Sequence, residues 1–212
     1  MAQSQRYDAV VVGSGPNGLA AAITMSRSGR SVAVYEAHEK IGGGMRSAEL
    51  TSPGFVHDVC SAVYPLAVGS PLFRSLPLAQ YGLEWVHPPA ALAHPFDNGS
   101  AVLLERSVHD TAAGLGHDRQ AYLRLMRPLV EAWDRLDVEL LAPIRWPRSP
   151  LAMIRFGLSA IRPARSLSES WFKEQPARAL FAGLSAHSML PLETWGSAAF
   201  GLVLATTGHT LG

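Results

Sequence analysis

The sequence predicts an α/β fold that opens with one parallel β-α-β unit and continues as a mostly helical region interrupted by a single β-hairpin. Three observations carry this. A valine-rich run at Tyr7–Val12 leads into Gly13, Ser14, Gly15, Pro16, Asn17 and Gly18, and then into an alanine-rich stretch. A second apolar run, Val32–Glu36, closes on a carboxylate and is followed by Gly42, Gly43 and Gly44. Farther on, Asn98 and Gly99 separate two short apolar runs, a strong signal for a two-residue hairpin turn.

Tyr7–Val12 reads as a strand buried on both faces, because its apolar residues run on without alternation. Pro16 suits the first helical position, where the missing N–H has no partner to lose. Residues 19–25 continue as a helix, with Ala22 and Met25 extending the face begun by Gly18. Arg27, Ser28 and Gly29 form a stop, with Gly29 as the left-handed cap. Each loop glycine has a mechanical reason in dinucleotide binding. Gly13 permits a tight exit from the strand, Gly15 lets the backbone approach a pyrophosphate, and Gly18 lets the helix lie close to the strand. The free N–H groups at the helix start then face the anion. Glu36 stands twenty-one residues after Gly15. It is suited to accept hydrogen bonds from the adenosine ribose and to repel a 2′-phosphate, which counts against NADP.

Gly42 and Gly43 follow Glu36 by six and seven residues. This arrangement resembles the flavin-binding signature of the phytoene desaturase and amine oxidase group of flavoproteins. The likeness is greatest to phytoene dehydrogenase-like oxidoreductases of the pyridine nucleotide-disulphide oxidoreductase domain-containing type. The resemblance implies FAD as cofactor, a Rossmann-like FAD-binding domain and a substrate-side region. It implies a cofactor site made of Gly13, Ser14, Gly15, Pro16, Asn17, Gly18, Glu36, Ala37, Gly42, Gly43, Gly44, Met45 and Arg46. One departure stands out: many relatives place arginine directly after the glycine doublet, whereas here Gly44 follows and the arginine is Arg46. Residues 52–58, 182–191 and 198–204 resemble that group's substrate-side segments. Within the likeness His57 and Asp58 could lie near the isoalloxazine ring, although a turn pair held by backbone is the simpler expectation.

The implied division is residues 1–60 for the nucleotide part and 61–212 for a partial, mainly helical substrate side. The chain has 212 residues, yet it supplies one β-α-β unit, and a two-stranded parallel sheet cannot cover both its faces. Family chains are longer and return to the nucleotide domain, so the sequence reads as an N-terminal portion whose exposed surface a second chain or an oligomer would cover.

The remaining elements follow in order. Residues 92–96 and 101–104 flank the hairpin. Ser107 caps a helix reaching Ala113, and Asp118 caps a longer one through Leu141 that Pro128 should kink or split. Pro143, Pro147 and Pro150 mark a loop. Leu151–Arg162 is amphipathic and basic, with Arg155, Arg162 and Arg165 available to lipid head groups; packing within the substrate region is the favoured reading and peripheral membrane contact via 151–165 the other. Pro176 opens a helix closed near Pro191. Trp133, Trp146, Trp171 and Trp195 are expected as core anchors.

Composition narrows the function classes. Charged residues make up 17% against 48% hydrophobic, with net charge +1. No basic block stands out, so nucleic acid is not an expected partner. The lone Cys60 excludes an internal disulfide and is expected to be buried in a reducing, cytoplasmic protein. No signal peptide or spanning stretch is expected. The eight histidines are dispersed, so no metal site is expected. Ser188 lacks the flanking glycines of a hydrolase elbow.

The reading is a flavin-dependent oxidoreductase of dehydrogenase or desaturase type, moving hydride at flavin N5 from a lipophilic or amine small molecule. No side chain declares itself catalytic, and whether this length turns over stays open. The rivals are a non-catalytic interaction subunit that holds FAD weakly and an NAD-dependent dehydrogenase.

Overall fold

Strand β1 (Ala9–Val12) and strand β2 (Val32–Tyr35) pair in parallel, joined by helix α1 (Pro16–Arg27). The computed structural model describes residues 6–143 and 145–211. The chain divides into two units, the first ending at Tyr64 and the second beginning at Pro65.

In the first unit the register runs from Ala9 opposite Val32 to Val12 opposite Tyr35. The Asp8 carboxylate ties the far end, accepting from the Ser31 N–H and hydroxyl at 2.8 Å each. Pro16 occupies the first turn of α1, and the chain leaves the helix through Ser28 and a left-handed Gly29 (φ 80°). Strands β3 (Ser47–Glu49) and β4 (Val56–Asp58) form a separate antiparallel pair. The parallel sheet stays at two strands, and Val10, Val12, Val34 and Tyr35 are exposed. Such strands normally require cover on both faces, so their sequence is more apolar than their present surroundings.

The second unit begins with the short helices α2 (Pro65–Gly69) and α3 (Pro71–Ser75). Strands β5 (Ala90–Pro95) and β6 (Ala101–Glu105) then form an antiparallel hairpin. Helices α4 (Val108–Ala113), α5 (Arg119–Glu131), α6 (Trp133–Leu140), α7 (Pro150–Ala160), α8 (Ala164–Trp171), α9 (Gln175–Ala186) and α10 (Ser197–Thr210) follow. Alternation in β6 turns Val102 and Leu104 into the core while Ala101 and Leu103 face out. Helix α10 is apolar around most of its circumference and lies buried at the centre, as such helices must. Its Gly201 meets α9 so closely that a Cβ there would stand 3.2 Å from the Phe181 ring. Ala198, Leu202 and Ala205 pack with Leu180, Phe181 and Leu184 in one core.

Two buried polar arrangements pin this core. His209 Nδ1 lies 2.9 Å from the Glu105 carbonyl and 3.2 Å from that of Arg106. Carbonyls only accept, so Nδ1 carries the proton, and Nε2 accepts from the Tyr122 hydroxyl at 2.7 Å. Burial holds the His209 pKa below its usual value and pushes that of Tyr122 up. The buried Asp118 accepts from the Lys173 N–H at 2.9 Å and from the Glu174 N–H at 2.7 Å. It therefore anchors the approach to α9 instead of capping α5, as the sequence predicts, because its side chain turns inward to unpaired donors far along the chain.

Other expectations also change. The hairpin loop is three residues, Asp97–Gly99: the Gly99 N–H reaches the Phe96 carbonyl at 2.9 Å and Phe96 pairs with Ser100. Gly99 takes the left-handed conformation (φ 80°) that such loops require. The long helix after Asp118 does split, but at Ala132; Pro128 lies inside α5. Ser107 caps α4 as expected, accepting from the Asp110 N–H at 3.2 Å. Of the four tryptophans expected as core anchors Trp133 is buried, Trp171 is half-buried, and Trp146 and Trp195 are exposed. Cys60 is exposed, not buried.

Asp118→Ala should lower the unfolding free energy by about 2 kcal/mol, because two part-buried donors lose a buried charged acceptor. Asp118→Asn, which keeps one acceptor, should lose less. Urea titration of the two variants checks this, and equal stability to the parent would remove Asp118 from the core account.

Candidate dinucleotide site

The parallel register that sets Val12 opposite Tyr35 brings the following residues, Gly13–Gly15 and Glu36, to the same sheet end. The Gly13 N–H continues the ladder to the Tyr35 carbonyl at 2.7 Å. Gly13 then turns with φ 96°, a conformation that side chains disfavour. A Cβ on Gly18 would stand 2.2 Å from the Gly13 carbonyl oxygen, so only glycine allows α1 to begin this close to β1.

The second glycine group lies against the first. The Gly42 N–H donates to the Ser14 carbonyl at 3.1 Å and lies 3.2 Å from the Ser14 hydroxyl. A Cβ on Gly43 would stand 2.9 Å from the Gly15 Cα. Gly42 and Gly43 both have positive φ, 110° and 56°. Gly43–Met45 forms one 3₁₀ turn, and Arg46 folds back so that Nε donates to the Gly43 carbonyl at 2.9 Å. Residues separated by some thirty positions are thus joined into one backbone surface at the α1 N-terminus.

Glu36 is the charged element of this surface. Its Oε2 accepts from the Ser14 N–H at 2.8 Å and the Ser14 hydroxyl at 2.6 Å. Its Oε1 accepts from the His38 N–H at 2.9 Å. The Ser14 hydroxyl foremost, then the Ser14 and His38 N–H groups, hold its pKa down from 4.5 to about 2. The Ala37 N–H adds a weaker contribution in the same direction. Ser14 is buried, and its part in orienting Glu36 does not follow from the glycine spacing. The signal was a hydroxyl residue set opposite a strand-terminal acid in parallel register.

The geometry accommodates a dinucleotide. Gly15 has φ −66° and ψ 172°, and nothing lies within 4 Å of where its Cβ would be. No acidic residue occupies the first turn of α1, whose N-terminus therefore keeps its positive end open to an anion. Asn17 and Ala37 are exposed beside this surface. The structure brings Gly13, Ser14, Gly15, Glu36, Gly42 and Gly43 directly together. Gly44 instead faces Cys60, whose sulfur would lie 3.6 Å from a Cβ there. His57 and Asp58 sit on β4 with side-chain partners of their own, Thr51 at 2.8 Å and Ser47 at 3.2 Å. Among the described residues no group of three or more His, Cys, Asp or Glu could hold a metal ion.

Residues 11–76 match the family model for an NAD(P)-binding Rossmann-like domain. Pyridine nucleotide-disulfide oxidoreductase domain-containing protein 2 of Rattus norvegicus is 40% identical over 79 residues, covering 37% of this chain and 13% of that protein. Amine oxidase [flavin-containing] B of Homo sapiens is 29% identical over 189 residues, covering 80% of this chain and 35% of the relative. Among solved structures, putrescine oxidase bound to putrescine superposes with a TM-score of 0.55 at 22% identity, covering 98% of this chain and 44% of that one. The chain therefore spans well under half the length of these proteins. It carries an NAD(P)-binding Rossmann-like segment at its start and shares the fold of the corresponding part of putrescine oxidase.

Proposed function

We propose that residues 13–46 bind FAD and that the chain forms the nucleotide-binding and substrate-side part of a flavin-dependent oxidoreductase. The observation that carries this is Gly15. Its backbone angles suit any residue, and no protein atom lies near its Cβ position. Neither conformation nor the space around its Cβ position demands glycine there, which supports a ligand that approaches the backbone, as a pyrophosphate does. Bound flavin would supply the hydride acceptor at N5. The chain's share is positioning: the α1 N-terminus for phosphate, Glu36 for the ribose, and Gly42–Arg46 for the ribityl side.

The substrate reading is a small molecule, amine or lipophilic. The names of the matched amine and putrescine oxidases support the amine. An apolar recess of about 210 Å³ in the second unit, lined by Phe73, Leu78, Leu83 and Trp85, favours a lipophilic group. Arg74 is the charged residue on its wall and is paired with Asp137 at 3.9 Å. The exposed valines of β1 and β2 support cover by a second chain or an oligomer, with turnover depending on that cover. A peripheral membrane contact through residues 151–165 belongs to the same reading, in a reducing cytoplasmic setting for the lone Cys60.

Three outcomes follow from the site. The purified chain mixed with FAD and desalted should keep flavin absorbance near ~450 nm. Gly15→Val should unfold at the parent temperature yet bind FAD at least about tenfold more weakly, whereas Gly18→Val should lose stability as well as flavin. Flavin retained by Gly15→Val, or pyridine nucleotide bound without yellow colour, would overturn the FAD assignment.

Glu36→Gln should weaken FAD on the order of tenfold through the lost charged acceptor, measured by fluorescence quenching of added flavin. The pH dependence has a defined sign. Because the folded-state pKa is lowered from 4.5 to about 2, ionised Glu36 contributes stability that is complete above about 4.5 and lost as pH falls toward about 2. Urea midpoints across that window should therefore fall less steeply in Glu36→Gln than in the parent.

A further inference from the structure

Helix α7 turns one face into the core and leaves the other without a partner. Phe156 and Ala160 are buried. At about 100° per residue they share one side of the helix. On the opposite side Leu151 is 82% exposed, Ile154 58%, Leu158 71% and Ile161 61%. The four fall within an arc of roughly 80° and so form one apolar stripe. The segment packs on its neighbours through Phe156 and Ala160 and leaves its other apolar residues in solvent.

Charge says what covers the stripe. Arg155 and Arg162 flank it on one side, at roughly +40° and +20° from Leu151 on the helical wheel. From Leu141 through Ser168 the sequence holds Arg145, Arg148, Arg155, Arg162 and Arg165 and no aspartate or glutamate. Arg165 is paired with Glu169 at 3.0 Å and Glu193 at 3.1 Å, and Arg145 lies 3.8 Å from Glu139. Arg162 is steadied by the Ser166 and Ser170 hydroxyls at 3.2 and 2.9 Å, contacts that leave its charge uncompensated. Trp146, four residues before the helix, is 91% exposed. An indole has an apolar body and a polar N–H, and it favours the membrane–water interface. An apolar stripe edged by arginine, with no helix in the described residues long and apolar enough to cross a bilayer, fits a helix lying in the plane of a surface.

We propose that α7 docks on an anionic lipid surface, its stripe of Leu151, Ile154, Leu158 and Ile161 seated among the acyl chains and Arg155 and Arg162 on lipid phosphates. This deepens, and rests on, the peripheral-contact part of the proposed function, and it is independent of flavin binding. A protein partner for the stripe is the competing outcome.

The test is co-sedimentation of the full chain with vesicles of phosphatidylcholine and phosphatidylglycerol, and with phosphatidylcholine alone. Binding is expected to the anionic vesicles, with a blue shift of tryptophan emission that Trp146→Phe removes, and to weaken at high salt. Leu158→Glu should abolish binding, and Arg155→Gln with Arg162→Gln should weaken it on the order of tenfold or more. Leu158 and Arg155 are exposed, whereas Arg162 is half-buried and bonded to Ser166 and Ser170, so thermal midpoints and FAD retention should match the parent in Leu158→Glu and in Arg155→Gln alone. This separates failure of the lipid surface from failure of the flavin site. Absence of sedimentation, equal binding to neutral vesicles, or binding undisturbed in Leu158→Glu would overturn the proposal. So would self-association that Leu158→Glu reverses in light scattering, which would give the stripe to a second copy.

Discussion

Two backbone approaches too close for a Cβ govern the first unit. Gly18 lies on the Gly13 carbonyl and Gly43 on the Gly15 Cα, and each excludes any larger residue. The first sets α1 against β1 and so aims its N-terminal N–H groups across the end of the sheet. The second holds the Gly42–Gly44 turn against the loop that precedes α1. Remove either contact and the separate segments no longer form one surface. Gly15 takes part in the second contact through its Cα, yet a Cβ of its own would meet no protein atom within 4 Å.

Ser14 links this backbone arrangement to electrostatics. Its hydroxyl and N–H converge on one oxygen of Glu36 while its carbonyl accepts from Gly42. One residue therefore ties both glycine groups to the strand-terminal acid and keeps that acid ionised. A fixed negative charge beside a helix N-terminus divides the site into an end suited to phosphate and an end suited to sugar hydroxyls. That division is the one on which the proposed dinucleotide site rests.

The second unit is organised differently, around the buried α10 and its contact with α9. Close packing at Gly201, and the buried Tyr122–His209 and Asp118 arrangements, fix where the helices lie. Its surface is less uniform. Trp146, Trp195 and the outer stripe of α7 leave large apolar groups in solvent, and the two-stranded parallel sheet of the first unit does the same. This exposed apolar surface is what supports the proposed cover by further protein or lipid.

The β-α-β unit, the helix start at Pro16, its stop at Gly29 and the Ser107 cap were legible because each rests on local chemistry: a fixed proline φ, a glycine able to adopt positive φ, a hydroxyl two or three residues from an unpaired N–H. The six residues that the structure brings together at the nucleotide surface were readable for the same reason, since their spacing mirrors the turn they make. What the sequence by itself could not determine were partners distant along the chain. Asp118 turned from its own helix to donors at 173 and 174, Ser14 turned to Glu36, and Cys60 came to rest beside Gly44 in solvent. Nor could amphipathic spacing say which apolar residues of α7 would find a core, because burial depends on what folds against a helix. The sequence determined the β-α-β unit, the β5–β6 hairpin and the glycine loop through short-range sterics and hydrogen bonding, but not β3, β4, α2, α3 or α8; tertiary packing decided which polar groups paired and which apolar faces stayed open.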